Sequence, residues 1–173
     1  FAITPFNFTS IVINLPSAPA MLGNVALWKP SNTQLYSAWE GYLLMEEAGL
    51  PPGIINFLPG NGADVGDIAV AHPEMSGLHF TGSTATFQHL WKKIGENIGS
   101  YRTYPRIVGE TGGKDFIVAH PSANAIEVGV AILRGAFEFQ GQKCSAASRM
   151  YVPNSLWNDV REFLEQEVPK ITI

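Results

Sequence analysis

The sequence predicts an α/β protein: a parallel, doubly wound sheet followed by the start of a second α/β domain. Three observations carry this. Over residues 1–112, short apolar runs alternate with stretches of helical periodicity in the order strand, helix, strand, helix, strand, helix, strand. The residues of most chemical interest fall where those runs end, which is where open parallel sheets gather ligands. Beyond Gly113 the alternation starts again, so the expected domains are 1–112 and 113–173.

Composition supports a packed fold. Of 173 residues, 46% are hydrophobic and 15% charged, a balance that builds a core and excludes a disordered chain. The net charge of −4, with its 11 basic residues dispersed, argues against nucleic acid as a partner. Phe1 to Trp28 carries no charge. It is nonetheless no membrane span, because Pro5, Pro16, Pro19, Asn7, Asn14, Gly23 and Asn24 break it into pieces that cannot satisfy their own backbone in lipid. It reads as a buried loop, a short helix and a strand. Since it opens at Phe1 within an apolar segment, the chain reads as an excerpt, with any targeting segment upstream.

Val25 to Trp28 suits a strand covered on both faces, stopped at Lys29-Pro30. Ser31, Asn32 or Thr33 then offers an N-cap oxygen, and Leu35, Ala38, Trp39, Tyr42 and Leu43 follow at helical spacing. Gly49 stands at the C′ position, and Pro51-Pro52 prevent continuation. Ile54 to Leu58 is a second strand, ending at Pro59-Gly60 before a helix near Asp64. Gly77 to Phe80 is a third, leading through Thr81-Gly82-Ser83 into a helix containing Leu90 and Ile94. Ile107 to Gly109 is a fourth, ending at Glu110-Thr111-Gly112-Gly113. In the second domain, Phe116 to Val118 and Met150 to Val152 read as strands. Ala123 to Phe139 and Leu156 to Val168 read as helices, the former with Ile126, Val130, Leu133 and Phe137 on one face.

Several residues at these junctions carry chemistry. Cys144 is the sole cysteine, set between Gly141 and the small residues Ser145, Ala146 and Ala147, which leave room for a substrate. A lone cysteine is commonly a small buried hydrophobe, but a thiol with a free pKa near about 8.5 is also a ready nucleophile. Gly82, Ser83, Thr84, Ala85 and Thr86 open a helix after a strand, where backbone N–H groups and the dipole favour phosphate. Phe87 stands where a later glycine of the usual dinucleotide fingerprint is found. Glu110 suits a carboxylate approached closely by ligand, and Asn7, between Phe6 and Phe8, is an amide in an apolar setting. The four histidines show no metal-ligand spacing, so no metal site is expected.

Pro5-Phe6-Asn7-Phe8, Trp28-Lys29-Pro30-Ser31, Phe80-Thr81-Gly82-Ser83-Thr84, Glu110-Thr111-Gly112-Gly113-Lys114 and Gly141-Gln142-Lys143-Cys144 resemble, in order and spacing, the motifs of the aldehyde dehydrogenase superfamily. Phe1 to Phe8, Arg106 to Lys114 and Phe137 to Arg149 look most like the branch that oxidises L-glutamate gamma-semialdehyde in proline catabolism. The resemblance covers a central piece of such enzymes: most of a Rossmann-like NAD-binding domain and the opening of the catalytic domain. It implies that Cys144 attacks the aldehyde to give a thiohemiacetal. Asn7 and the Cys144 N–H would stabilise the oxyanion, hydride would pass to NAD, and Glu110 would activate water against the thioester. It implies cofactor contacts for Thr4, Lys29 and Gly82 to Thr86. Asn32 stands where many relatives carry an acidic ribose-binding residue.

Lys143, beside the nucleophile, is expected to meet the substrate's carboxylate. The implied partners are a small aldehyde and a second copy of the subunit, as a homo-oligomer of two or more. The implied location is the mitochondrial matrix, or the cytoplasm if the source is bacterial. The substrate-anchoring loop and the oligomerisation segment of such enzymes would lie beyond Ile173, so these residues alone are expected to be inactive. Two other readings stay open: an aldehyde dehydrogenase of another specificity, and a non-catalytic protein that keeps the fold.

Overall fold

The computed structural model describes residues 1–172. The chain forms two compact units, Phe1–Thr111 and a second from Gly112 onward, a division one position before that expected.

The first unit is built on a five-stranded, wholly parallel sheet. Its strands are β1 (Ala2–Ile3), β2 (Ala26–Lys29), β3 (Ile55–Phe57), β4 (Gly77–Gly82) and β5 (Arg106–Thr111), in the order β3-β2-β1-β4-β5. The winding direction reverses between β1 and β4, and a doubly wound sheet binds its ligand at such a switch point. Helices α1 (Thr9–Met21) and α2 (Leu35–Glu47) bury Val12, Leu15 and Ala38 with Ala2, Ala26, Trp28 and Ile55. On the other core, α3 (Gly62–Ala71) and α4 (Thr84–Glu96) bury Val70, Leu90 and Ile94 with Leu78 and Phe80. Neighbouring residues Ala2 and Ile3 serve different clusters because side chains alternate along a strand.

Four local expectations need correction. The segment read as a loop at the chain start contains β1, a strand of two residues, too short for any periodicity to reveal. Its pairing with both β2 and β4 defines it. α1 runs through Pro16 and Pro19 as a 13-residue helix. An interior proline costs a helix about 3 kcal/mol, and burial of Pro16 against the core offsets part of this. β2 is not covered on both faces within its unit, because Leu27 remains 38% exposed. The N-cap expected from Ser31, Asn32 or Thr33 does not form. Asn32 to Gln34 make a 3₁₀ turn instead, the Ser31 and Thr33 hydroxyls bond each other at 3.0 Å, and α2 begins without a side-chain cap.

Phe87 has a packing role. Its ring stacks on Phe80 with centroids 5.4 Å apart, and a Cβ added at Gly109 would lie 2.2 Å from it. Gly109→Ala should therefore destabilise the protein by about 1–3 kcal/mol or more, as overpacking does. Chemical denaturation would show the loss, and adding Phe87→Leu should recover part of it. An unchanged midpoint in Gly109→Ala would refute this packing.

The second unit holds a two-stranded parallel sheet of β6 (Asp115–Val118) and β7 (Ala147–Tyr151), with an irregularity between Asp115 and Phe116. Helices α5 (Ala125–Phe137) and α6 (Asn154–Glu167) close its core through Val128, Ile132 and Val160. Asn124 caps α5, its Oδ1 accepting from Ile126 N at 2.9 Å and Glu127 N at 3.2 Å. Ile126, Val130 and Phe137 do lie off the core face: Ile126 is 62% exposed. They line an open groove of about 490 Å³ with Ala131, Arg134, Gly135 and Glu138, Phe137 excepted. α5 is apolar most of the way round, so periodicity could not tell which stripe would be covered.

Candidate active site

The carboxyl ends of three adjacent strands, β2, β1 and β4, carry the expected cofactor residues. Thr4, directly after β1, is buried; its backbone N–H donates to Lys29 O at 3.2 Å and its Oγ1 accepts from Trp28 Nε1 at 3.0 Å. Lys29 ends β2 and is only 7% exposed. Its Nζ donates to Pro30 O at 2.8 Å and to Asn32 Oδ1 at 3.2 Å. Asn32 thus holds the lysine with a neutral amide.

Burial pushes the Lys29 pKa below its usual 10.5. The native state then releases this proton at lower pH than the unfolded chain, so stability should rise with pH between the lowered value and about 10.4. Lys29→Met should abolish that rise. It should also raise stability at neutral pH by about 1–2 kcal/mol, since a buried cation beside neutral oxygens is replaced by an apolar chain, and it should weaken cofactor binding. Thermal unfolding and a cofactor titration check both halves; lower stability in the mutant would disprove the cost assigned to the buried charge.

The strands β4 and β5 extend further than expected. Gly82 is the last residue of β4 and Glu110 the penultimate residue of β5, so neither sits in a loop beyond its strand. Thr81 pairs with Glu110 and Gly82 with Thr111, which sets these two strand ends side by side. Added runs of ladder pairing outweigh the weak strand preference of glycine here. Ser83 then caps α4: its Oγ accepts from Thr86 N at 3.2 Å and bonds Thr86 Oγ1 at 2.8 Å. Thr84, Ala85 and Thr86 form the exposed first turn of α4, whose leading N–H groups lack partners within the helix. The N-terminus of α4 thus stands beside the switch point.

Asn7 lies in the segment between β1 and α1, with Oδ1 enclosed by protein. Gln34, which sequence reasoning missed, holds this segment: with its amide nitrogen turned inward it donates to Pro5 O at 2.8 Å and Phe6 O at 3.1 Å. No local pattern ties Gln34 to residues so far back in the chain, so only the packed structure reveals it.

In the second unit Cys144 is half-buried between α5 and β7 in chain order. The approach to it is a strained turn, Glu138–Gly141, in which Phe139, Gln140 and Gly141 all have left-handed φ of 54°, 53° and 66°. Glycine is required at the last of these, where a Cβ would stand 2.9 Å from Ala136 O. For the other two the conformation costs about 1–2 kcal/mol each. Lys143, expected to meet a substrate carboxylate, meets Glu138 within the chain: Nζ to Oε2 is 2.6 Å. Arg134 reaches the same carboxylate at 3.4 Å. Lys143 first, then Arg134, holds the Glu138 carboxyl below the usual carboxylate range. Glu138 was not legible as a partner, because no motif places it.

The histidines are engaged locally: His79 with Leu15 O, His89 with Asp67, His120 with Ser122 and His72 with Glu74 N. Among the described residues no group of three or more His, Cys, Asp or Glu could hold a metal ion, and no helix is long and apolar enough to cross a membrane.

A 3-2-1-4-5 parallel sheet with a capped glycine turn at its switch point is a doubly wound, Rossmann-like unit. The aldehyde dehydrogenase family model matches residues 1–173, and the chain belongs to that family. It is 48% identical over 172 residues to the mitochondrial delta-1-pyrroline-5-carboxylate dehydrogenase of Rattus norvegicus, covering 99% of this chain and 31% of that protein. It is 51% identical over 176 residues to a probable delta-1-pyrroline-5-carboxylate dehydrogenase of Schizosaccharomyces pombe, covering 100% of this chain and 32% of that one. The crystal structure of the Mycobacterium tuberculosis Delta-pyrroline-5-carboxylate dehydrogenase bound with NAD superposes with a TM-score of 0.93 at 57% identity, over 96% of this chain and 31% of that one. The chain thus spans about a third of the length of these relatives.

Proposed function

We propose that this chain serves the NAD-dependent oxidation of L-glutamate gamma-semialdehyde to L-glutamate. The observation that carries the reading is its end-to-end similarity to pyrroline-5-carboxylate dehydrogenases, one of them solved with NAD. The residues at the sheet end fit that cofactor: the capped turn Gly82 to Thr86 would take the pyrophosphate, and Thr4 and Lys29 would face the rest of it. NAD, when bound, supplies the hydride acceptor.

The chain's own residues would do the remaining chemistry. The Cys144 thiol gives up its proton to solvent, the sulfur adds to the aldehyde carbon, and the carbonyl π electrons move onto oxygen. Asn7 and the Cys144 backbone N–H are the donors proposed for that oxyanion. The oxidised form of this adduct is a thioester on Cys144. Glu110 takes a proton from water as the water oxygen attacks the thioester, the C–S bond breaks with its electron pair on sulfur, and glutamate is released while the Glu110 proton returns to the thiolate.

Mitochondrial names among the eukaryotic relatives favour the mitochondrial matrix for a eukaryotic source, and a bacterial relative fits the cytoplasm otherwise. A homo-oligomer is part of the same proposal.

The test is a panel of aldehydes given to the full-length protein with NAD. Glutamate semialdehyde should exceed a neutral aldehyde of the same length by roughly tenfold or more in kcat/KM, the value of one lost charge-assisted contact. Preference for another aldehyde would displace this reading in favour of a relative with a different specificity. No oxidation at all would favour a non-catalytic protein.

A further inference from the structure

We infer that Glu138 is a positioning residue for the nucleophile: braced by Arg134, it clamps Lys143 back across the left-handed turn and so holds the 143–144 peptide in place. The inference rests on Cys144 being the nucleophile.

Four observations within the second unit meet at this peptide. The chain leaves α5 at Phe137 and takes a conformation that two of its residues, Phe139 and Gln140, disfavour. Such strain persists only where surrounding contacts over-determine it. Across the same turn, Lys143 Nζ lies 2.6 Å from Glu138 Oε2, closing the segment 138–143 on itself. Arg134, one helical turn before Glu138, holds the other oxygen at 3.4 Å and so fixes the carboxylate to the end of α5. On the far side, the Lys143 carbonyl accepts from Ala146 N at 3.2 Å.

These contacts grip Lys143 at both its side chain and its carbonyl. The peptide that follows is trans and planar, so the direction of the Lys143 C=O dictates that of the Cys144 N–H, which points the opposite way. That N–H is the backbone donor proposed for the oxyanion. A rotation of the plane would carry it off the developing charge, and small misplacements of such donors are costly to rate. Lys143 is only a quarter exposed in its side chain, with Glu138 about half exposed. The pair therefore acts through geometry more than through long-range charge, which solvent screens.

The alternative use of Lys143, holding the substrate's carboxylate, makes an opposite prediction. Glu138 would then compete with the substrate, and removing it would tighten binding of an anionic aldehyde alone. The two uses are separated by a double-mutant cycle in the full-length protein, with Glu138→Ala, Lys143→Met and both together. Each is assayed with the aldehyde the protein turns over best and with a neutral aldehyde.

For a positioning clamp, each single change lowers kcat roughly 10- to 100-fold with KM little altered, on both aldehydes alike. The double mutant is no slower than the worse single, since one clamp can be broken only once. Should Glu138→Ala not fold, the cycle is run with Glu138→Gln, which keeps size and loses charge. Because the assay uses whichever aldehyde works best, failure of the glutamate semialdehyde assignment leaves this test intact. Unchanged kcat in the singles, additive losses in the double, or a KM change confined to the anionic aldehyde would each overturn the inference.

Discussion

Cys144→Ala in the full-length protein is expected to abolish aldehyde oxidation, by roughly 10⁴-fold or more, while NAD affinity stays within about twofold. The size follows from chemistry. The neighbouring hydroxyl of Ser145 is no replacement, because a thiol reaches its nucleophilic anion at far lower pH than an alcohol does. The residues proposed to hold the cofactor belong to the first unit, Phe1–Thr111, and Cys144 to the second. NADH production and a cofactor titration on the same preparation give both numbers. More than a trace of turnover would remove Cys144 from the mechanism.

Glu110→Gln is expected to cost roughly 10²–10⁴-fold in steady-state turnover. The amide has nearly the shape of the carboxylate but cannot accept the proton of the attacking water. Acyl-enzyme should then accumulate, so rapid mixing with NAD and aldehyde should show a burst of NADH followed by slow release. Glu110 is exposed and sits in the ladder opposite Thr81, so the fold should bear the change well. Wild-type turnover without a burst would show that Glu110 is not the deacylation base. A slow mutant without a burst would assign it to an earlier step.

The two experiments lean on residues of unequal legibility. Cys144 stood out because it is unique in the chain and flanked by small residues. Glu110 stood out by its two following glycines, yet its place inside β5 was missed: a glycine-rich end resembles a loop until the partner strand is known. The lysine at 29 was legible as a strand-end cation. Its burial was not, because that depends on Asn32 and the Pro30 carbonyl closing around it.

Residue order alone determined the α/β class, the strands at Ile55, Gly77 and Arg106, and the placing of Lys29, Gly82 and Glu110 at strand ends. These follow from local quantities: runs of apolar residues, breaker residues and helix caps such as Ser83. The tertiary structure alone decided four things. β1 exists through its two neighbours, α1 continues past its prolines, α5 turns Val128 and Ile132 rather than Ile126 and Val130 to the core, and Glu138 closes on Lys143. In each case the deciding energy comes from a partner distant in sequence, or from a backbone turn whose strain is repaid only once the unit is packed. Spacing along the chain carries no trace of such partners.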